Sequence, residues 1–152
     1  MSTFMGFART VGRAGIRNHL VILSMCGLNG PGARRVAAAL PQAVLISSPY
    51  GRGHVGADKL FHAHMLRAFA THPNTGGVLI LAPDDGLGDA MERHVASTGR
   101  GAAQFSLQKW GEDGSAMTAA AIAKGRRFLA QLQAVPRKAC PVADIVIAAE
   151  CG

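Results

Sequence analysis

Aromatic and acidic side chains are what this sequence has least of. Phe, Tyr and Trp make up 5% of it, with one Trp and one Tyr. Platforms on which bases could stack are therefore few, and the basic residues are scattered rather than striped, so nucleic acid is not an expected partner. Nine acidic residues face 16 Lys and Arg, for a net charge of +7. No carboxylate side chain precedes Asp58, so the N-terminal third is purely basic. That imbalance points to an anionic partner, either a small acidic metabolite or an acidic protein surface. Cysteine is also scarce. Cys26, Cys140 and Cys151 are odd in number, widely spaced and without a CxxC pair. This excludes a disulfide framework, a structural zinc site and a self-contained iron–sulfur site, and a reducing cytoplasm fits best. No apolar run reaches the roughly 20 residues of a membrane helix, so no membrane is expected. Arg9, Arg13 and Arg17 interrupt the N-terminal apolar residues, and the segment reads as mature protein rather than leader.

What is present is a core-forming chain of 152 residues, 49% hydrophobic, whose apolar count leans on alanine. Length and composition predict one domain over 1–152. Short branched runs alternate with longer alanine-rich segments. Strands are predicted at 19–25, 43–47, 77–82, 102–107 and 143–149. Helices are predicted at 33–40, 58–71, 87–97 and 112–133. Residues 77–82 (GVLILA) are apolar throughout, as a central parallel strand should be. The alternation predicts an α/β fold: a three-layer, Rossmann-like parallel sheet of about five strands with helices on both faces. Ligands of such sheets sit beyond the carboxyl ends of the strands, here the loops at 26–32, 48–58, 83–88 and 108–114.

The loop at 49–58 (PYGRGHVGAD) is the richest in chemistry. It leaves a strand and opens a helix, so its backbone N–H groups and the helix start can receive an anion. Arg52, Gly53 and His54 are its candidate contacts. Gly51, Gly53 and Gly56 spell GxGxxG, but in the second strand–helix turn and without an acidic residue about 20 positions on, so no dinucleotide is expected. Asp58 and His62 share a helix face and, with His54, have the donor types for a divalent metal. The same residues equally describe a solvated helix start. His72, in His72-Pro73-Asn74, is a candidate for proton transfer or an ordinary helix-end histidine. Asp84-Asp85 reads first as a turn and helix cap. Ahead of the first strand, Gly12-Arg13-Ala14-Gly15-Ile16-Arg17-Asn18 places two guanidiniums and an amide within a few residues, a pattern able to grip a carboxylate.

Several of these stretches, in order, resemble the second domain of the altronate/galactarate dehydratase family. Residues 12–18 resemble its Gly-Arg-x-Gly-x-Arg-Asn entry into a strand. Cys26 falls where members often carry cysteine, residues 50–58 resemble its Gly-Cys-Gly-x-x-Gly-x-Asp loop, and residues 67–81 resemble its helix, His-Pro-Asn and strand segment. The resemblance implies a hydro-lyase that removes water from sugar acids to give 2-keto-3-deoxy products, with a divalent metal, iron or manganese. The candidate residues for that chemistry are His54 and His72 as catalytic groups, Arg13, Arg17, Asn18, Arg52 and Gly53 for substrate binding, and Asp58 and His62 for a metal. Some relatives act on sulfonated hydroxy acids instead.

The chain departs from that pattern in two places. Arg52 replaces the loop cysteine, and Ala82-Pro83-Asp84-Asp85-Gly86 stands where members have Gly-Leu-Gly-Cys-Glu. The family's large C-terminal lobe would begin where this chain ends, so the resemblance implies a partner subunit carrying that lobe, or a homo-oligomer. The alternative is a diverged, non-catalytic subunit or small-acid-binding domain. Arg13 and Arg17 precede the first strand, at the end of the sheet opposite the expected crevice, where they would meet a neighbouring lobe rather than substrate.

Overall fold

Two branched apolar stretches, side by side and parallel, form the centre of the molecule. The computed structural model describes residues 2–50 and 53–151. In chain order its elements are β1 (Thr3–Gly6), β2 (His19–Ser24), α1 (Gly30–Ala39), β3 (Val44–Ser47), α2 (Gly56–Ala70), β4 (Thr75–Ala82), α3 (Asp85–Ala96), β5 (Gly101–Ser106), α4 (Gly114–Gln133) and β6 (Lys138–Pro141). β3, β2, β4 and β5 form one parallel sheet in that order, and β1 pairs antiparallel with β6.

All eight residues of β4 are buried, because both of its faces are covered. Successive side chains of β2 and β4 point to opposite faces. Leu20, Ile22, Leu79 and Leu81 meet Val36 of α1 and Met117, Ala121 and Phe128 of α4. Val21, Leu23, Val78 and Ile80 meet Leu66 and Ala70 of α2 and Met91 and Val95 of α3. The result is the predicted three-layer α/β architecture. Helix starts follow local chemistry: Pro31 lies in the first turn of α1, and the Asp84 carboxylate accepts from Leu87 N at 2.9 Å to cap α3. Asp113 does the same for α4, accepting from Ser115 N and Ala116 N.

The predicted strand at 143–149 is absent, and the parallel sheet has four strands rather than five. After α4 the chain turns back at the amino end of the sheet. There β6 pairs with β1, a four-residue strand too short and too weakly patterned to be read from sequence. Val142 N extends the pairing to Ser2 O at 3.1 Å, and a short 3-10 turn follows at Val142–Asp144. The Asp144 carboxylate then accepts from Ala14 N at 3.0 Å. These bonds hold the chain beside β1, and the apolar run beyond lies in solvent, with Ile147 88% exposed. Among the described residues no helix is long and apolar enough to cross a membrane.

Candidate functional site

The chain passes from β2 to β3 on one side of the sheet and from β4 to β5 on the other. The connections therefore diverge between β2 and β4, where open α/β sheets form their ligand crevice. A buried hydrogen-bond latch closes that seam. Asn29 Nδ2 donates to Ala82 O at 3.1 Å, the Cys26 thiol donates to Asn29 Oδ1 at 3.1 Å, and Ser24 Oγ donates to Cys26 O at 3.1 Å. Asn29→Ala strands the thiol and the Ala82 carbonyl, so an expected loss of about 2 kcal/mol should appear in urea unfolding. The Cys26 thiol should also alkylate faster in the folded variant than in the parent.

On the α2/α3 side of the latch lies a cavity of about 290 Å³. α2 contributes Lys59, His62, Ala63, Leu66 and Arg67, spaced three and four apart so that they share one face of the helix. α3 contributes Leu87, Ala90 and Met91, and the strand ends contribute Met25, Cys26 and Pro83. His54 enters from the loop before α2. The side chains that can carry charge at this lining near neutral pH are all basic, over an apolar floor.

The imidazoles are built into a stack. The His54 and His62 rings lie 4.5 Å apart and nearly parallel, and Tyr50 meets His54 edge-on at 5.5 Å. Ser48, which is buried, places its hydroxyl 2.8 Å from His62 Nε2. Burial first, and the neighbouring His54 second, lower the His62 pKa below its ordinary 6.5. His62 is therefore a neutral imidazole at physiological pH, able to take a proton.

The predicted site residues divide between the two ends of the sheet. His54 and His62 line the cavity. Gly53 is exposed in the same loop, and Asp58 is exposed in the first turn of α2 without lining the cavity. Arg52 and Gly51 lie outside the described residues. Among the described residues no group of three or more His, Cys, Asp or Glu stands close enough to hold a metal ion. Sequence reasoning passed over Lys59 and Arg67. Their signal was the helical spacing to His62, which reveals a shared face only once α3 is known to oppose it.

Arg17, Asn18 and His72 are at the amino end of the sheet. His72 precedes β4, whose eight residues span about 26 Å, so His72 and His54 cannot act on one small substrate. The two motifs instead hold each other. Asn74 Oδ1 accepts from Ile16 N at 2.9 Å and Arg17 N at 3.1 Å, and His72 Nδ1 accepts from Asn74 N at 3.1 Å. The Arg9 fork binds Pro73 O, Asn18 Oδ1 and Arg17 O at 2.8–3.0 Å. Asn18 Nδ2 completes the junction by donating to Leu132 O at 3.0 Å. Burial, then the nearby Arg100, lower the Arg9 pKa to about 10, which leaves it charged at neutral pH. Arg13 is exposed at the same end.

Residues 6–133 match the family described as D-galactarate dehydratase/altronate hydrolase, second domain. The chain is also similar to the (2R)-sulfolactate sulfo-lyase subunit beta of Chromohalobacter salexigens, at 27% identity over 150 residues. That match covers 99% of this chain and 38% of the relative, so the chain spans little more than a third of that protein's length. No solved structure matches. On the extent of the family match, from the end of β1 through the end of α4, the chain belongs to the D-galactarate dehydratase/altronate hydrolase family, within its second domain.

Proposed function

We infer that this chain is the acid-binding module of a lyase that eliminates a leaving group from a small hydroxy acid, in the manner of the sugar-acid hydro-lyases, and that it works with a partner subunit. The observation carrying this reading is the cavity beyond β2 and β4, where Lys59, Arg67 and two imidazoles stand with no carboxylate among the described lining residues. Loss of water from a 2,3-dihydroxy acid begins with removal of the proton beside the carboxylate, which places negative charge on the carboxylate oxygens. Cations at that position stabilise the charge, and a neutral imidazole accepts the proton. Lys59 and Arg67 supply the first function and His62 the second, with Ser48 orienting the ring. Elimination of sulfite from a sulfonated acid would share this first step. A divalent metal would need donors from outside the described residues. The buried Cys26 and Cys140 and the exposed Cys151 are all unpaired, which suits a reducing cytoplasm.

A second reading, an acid-binding subunit without turnover, draws on one observation. Among the described lining residues there is no carboxylic acid to protonate a leaving hydroxyl. Exchange with solvent separates the two. If His62 acts as a base, the proton beside the carboxylate of a bound hydroxy acid exchanges into deuterated water, visible by NMR. If no bound acid exchanges, with or without the partner subunit, the non-catalytic reading stands.

The pH dependence has opposite signs for binding and for exchange. The lowered pKa of His62 keeps it largely neutral at neutral pH. As pH falls through that lowered pKa it gains a proton, and the added charge attracts the anion. Acid affinity should therefore rise toward acidic pH while exchange falls, because the base is consumed. Affinity that stays flat across that window would remove His62 from the site.

A further inference from the structure

We propose that this cavity selects an acid with an aliphatic, sparsely hydroxylated body over a polyhydroxylated one. The proposal rests on the acid-binding reading above and narrows it. Apart from the two cations and the imidazoles of His54 and His62, the described lining is mainly carbon and sulfur: Met25, Leu66, Leu87 and Met91, with Ala63 and Ala90 between them. Lys59 and Arg67 are eight residues apart on α2, so their backbones lie about 12 Å apart along the helix and bracket that floor. No Ser, Thr, Asn, Gln, Asp or Glu side chain is among the described lining residues.

Two polar side chains near the site, Ser48 and Asn29, are already engaged. The Ser48 hydroxyl bonds His62 and accepts from Tyr50 N. Asn29 uses its amide nitrogen on Ala82 O and its oxygen on the Cys26 thiol. A ligand hydroxyl pressed onto the Met and Leu part of this floor leaves water, and the two imidazoles are the uncharged polar rings among the described lining residues that can replace it, too few for a polyhydroxylated body. A carboxylate or sulfonate at either end meets a cation, and a methylene chain between them meets methionine and leucine. Each hydroxyl buried without a partner weakens binding by roughly tenfold.

Adipate and galactarate test this directly, because they share one carbon chain and both carboxylates and differ only in hydroxyl groups. Titration of the chain with each diacid at neutral pH, followed by calorimetry and by the His54 and His62 NMR signals, should give at least tenfold tighter binding of adipate. Leu87→Asn places an amide at the cavity edge, at a position 49% exposed and so tolerant of change. It should strengthen galactarate binding and weaken adipate binding, narrowing the gap. Galactarate binding as tightly as adipate, or better, would overturn the selectivity while leaving the acid-binding reading intact. If neither diacid binds, or if binding leaves both histidine signals unmoved, that reading fails and the selectivity fails with it.

Discussion

Gly15→Ala should destabilise the protein by about 3 kcal/mol, a shift of roughly 8 °C in Tm, although the added group is one methyl. An added Cβ at Gly15 would overlap the carbonyl oxygen of Pro73, and that contact is backbone, not a side-chain tip that can swing away. The surroundings hold both partners in place. Gly15 exchanges two hydrogen bonds with Phe7, at 2.8 and 2.9 Å. Pro73 O is held by Arg9 Nε at 2.8 Å, and the next residue, Asn74, grips Ile16 N and Arg17 N. One or more of these bonds must stretch to admit the methyl group. Chemical denaturation measures the loss, and a change below about 1 kcal/mol would mean that the junction yields and is not rigid. The junction lies at the opposite end of the sheet from the cavity. Variant protein that remains folded should accordingly bind acids as the parent does.

The largest effect on ligand binding is expected from the paired substitution Lys59→Ala and Arg67→Ala. Charge-assisted hydrogen bonds each contribute about 1.5–3 kcal/mol, so each cation accounts for roughly ten- to a hundredfold in affinity. Together their removal should abolish measurable binding of a small diacid. Both residues are exposed, and the buried residues of their helix are Leu66 and Ala70, so the fold should survive. Three further substitutions frame the result. Arg13→Ala and His72→Ala alter the amino end of the sheet and should leave affinity unchanged. Asp58→Ala removes an exposed carboxylate one residue before Lys59 and should leave affinity unchanged or raise it slightly. Equal losses from Arg13→Ala and from the Lys59/Arg67 pair would show that the acid binds at the amino end instead.

That contrast marks how far the site was legible in the sequence. The loop before α2 was identified from its position after a strand and its basic and glycine content, and His54 from it does reach the cavity. The motif at 12–18 and the His-Pro-Asn segment looked like ligand-binding chemistry because they concentrate polar side chains. Their hydrogen bonds show another use: they join two chain segments far apart in sequence. A guanidinium that satisfies backbone carbonyls and one that awaits a carboxylate look the same in a sequence. Lys59 and Arg67 illustrate the converse. They resemble ordinary surface charges on α2, and only the opposing face of α3 turns their side of the helix into a wall.

The primary structure by itself determined β2 through β5 and the four helices, because burial on one or two faces imposes a period that residues 19–25, 77–82 and their neighbours display. It determined the basic character of the chain and, through its ordered motifs, the family. Only the tertiary structure decided that the last apolar run stays outside the sheet. Pairing of β6 with β1 depends on where α4 delivers the chain, and hydrogen bonds between distant backbone segments leave no local pattern. The same reason explains why the cavity and the amino-end junction emerged only on folding. Each is made by residues that the sheet order brings together, and sheet order depends on the packing of every layer at once.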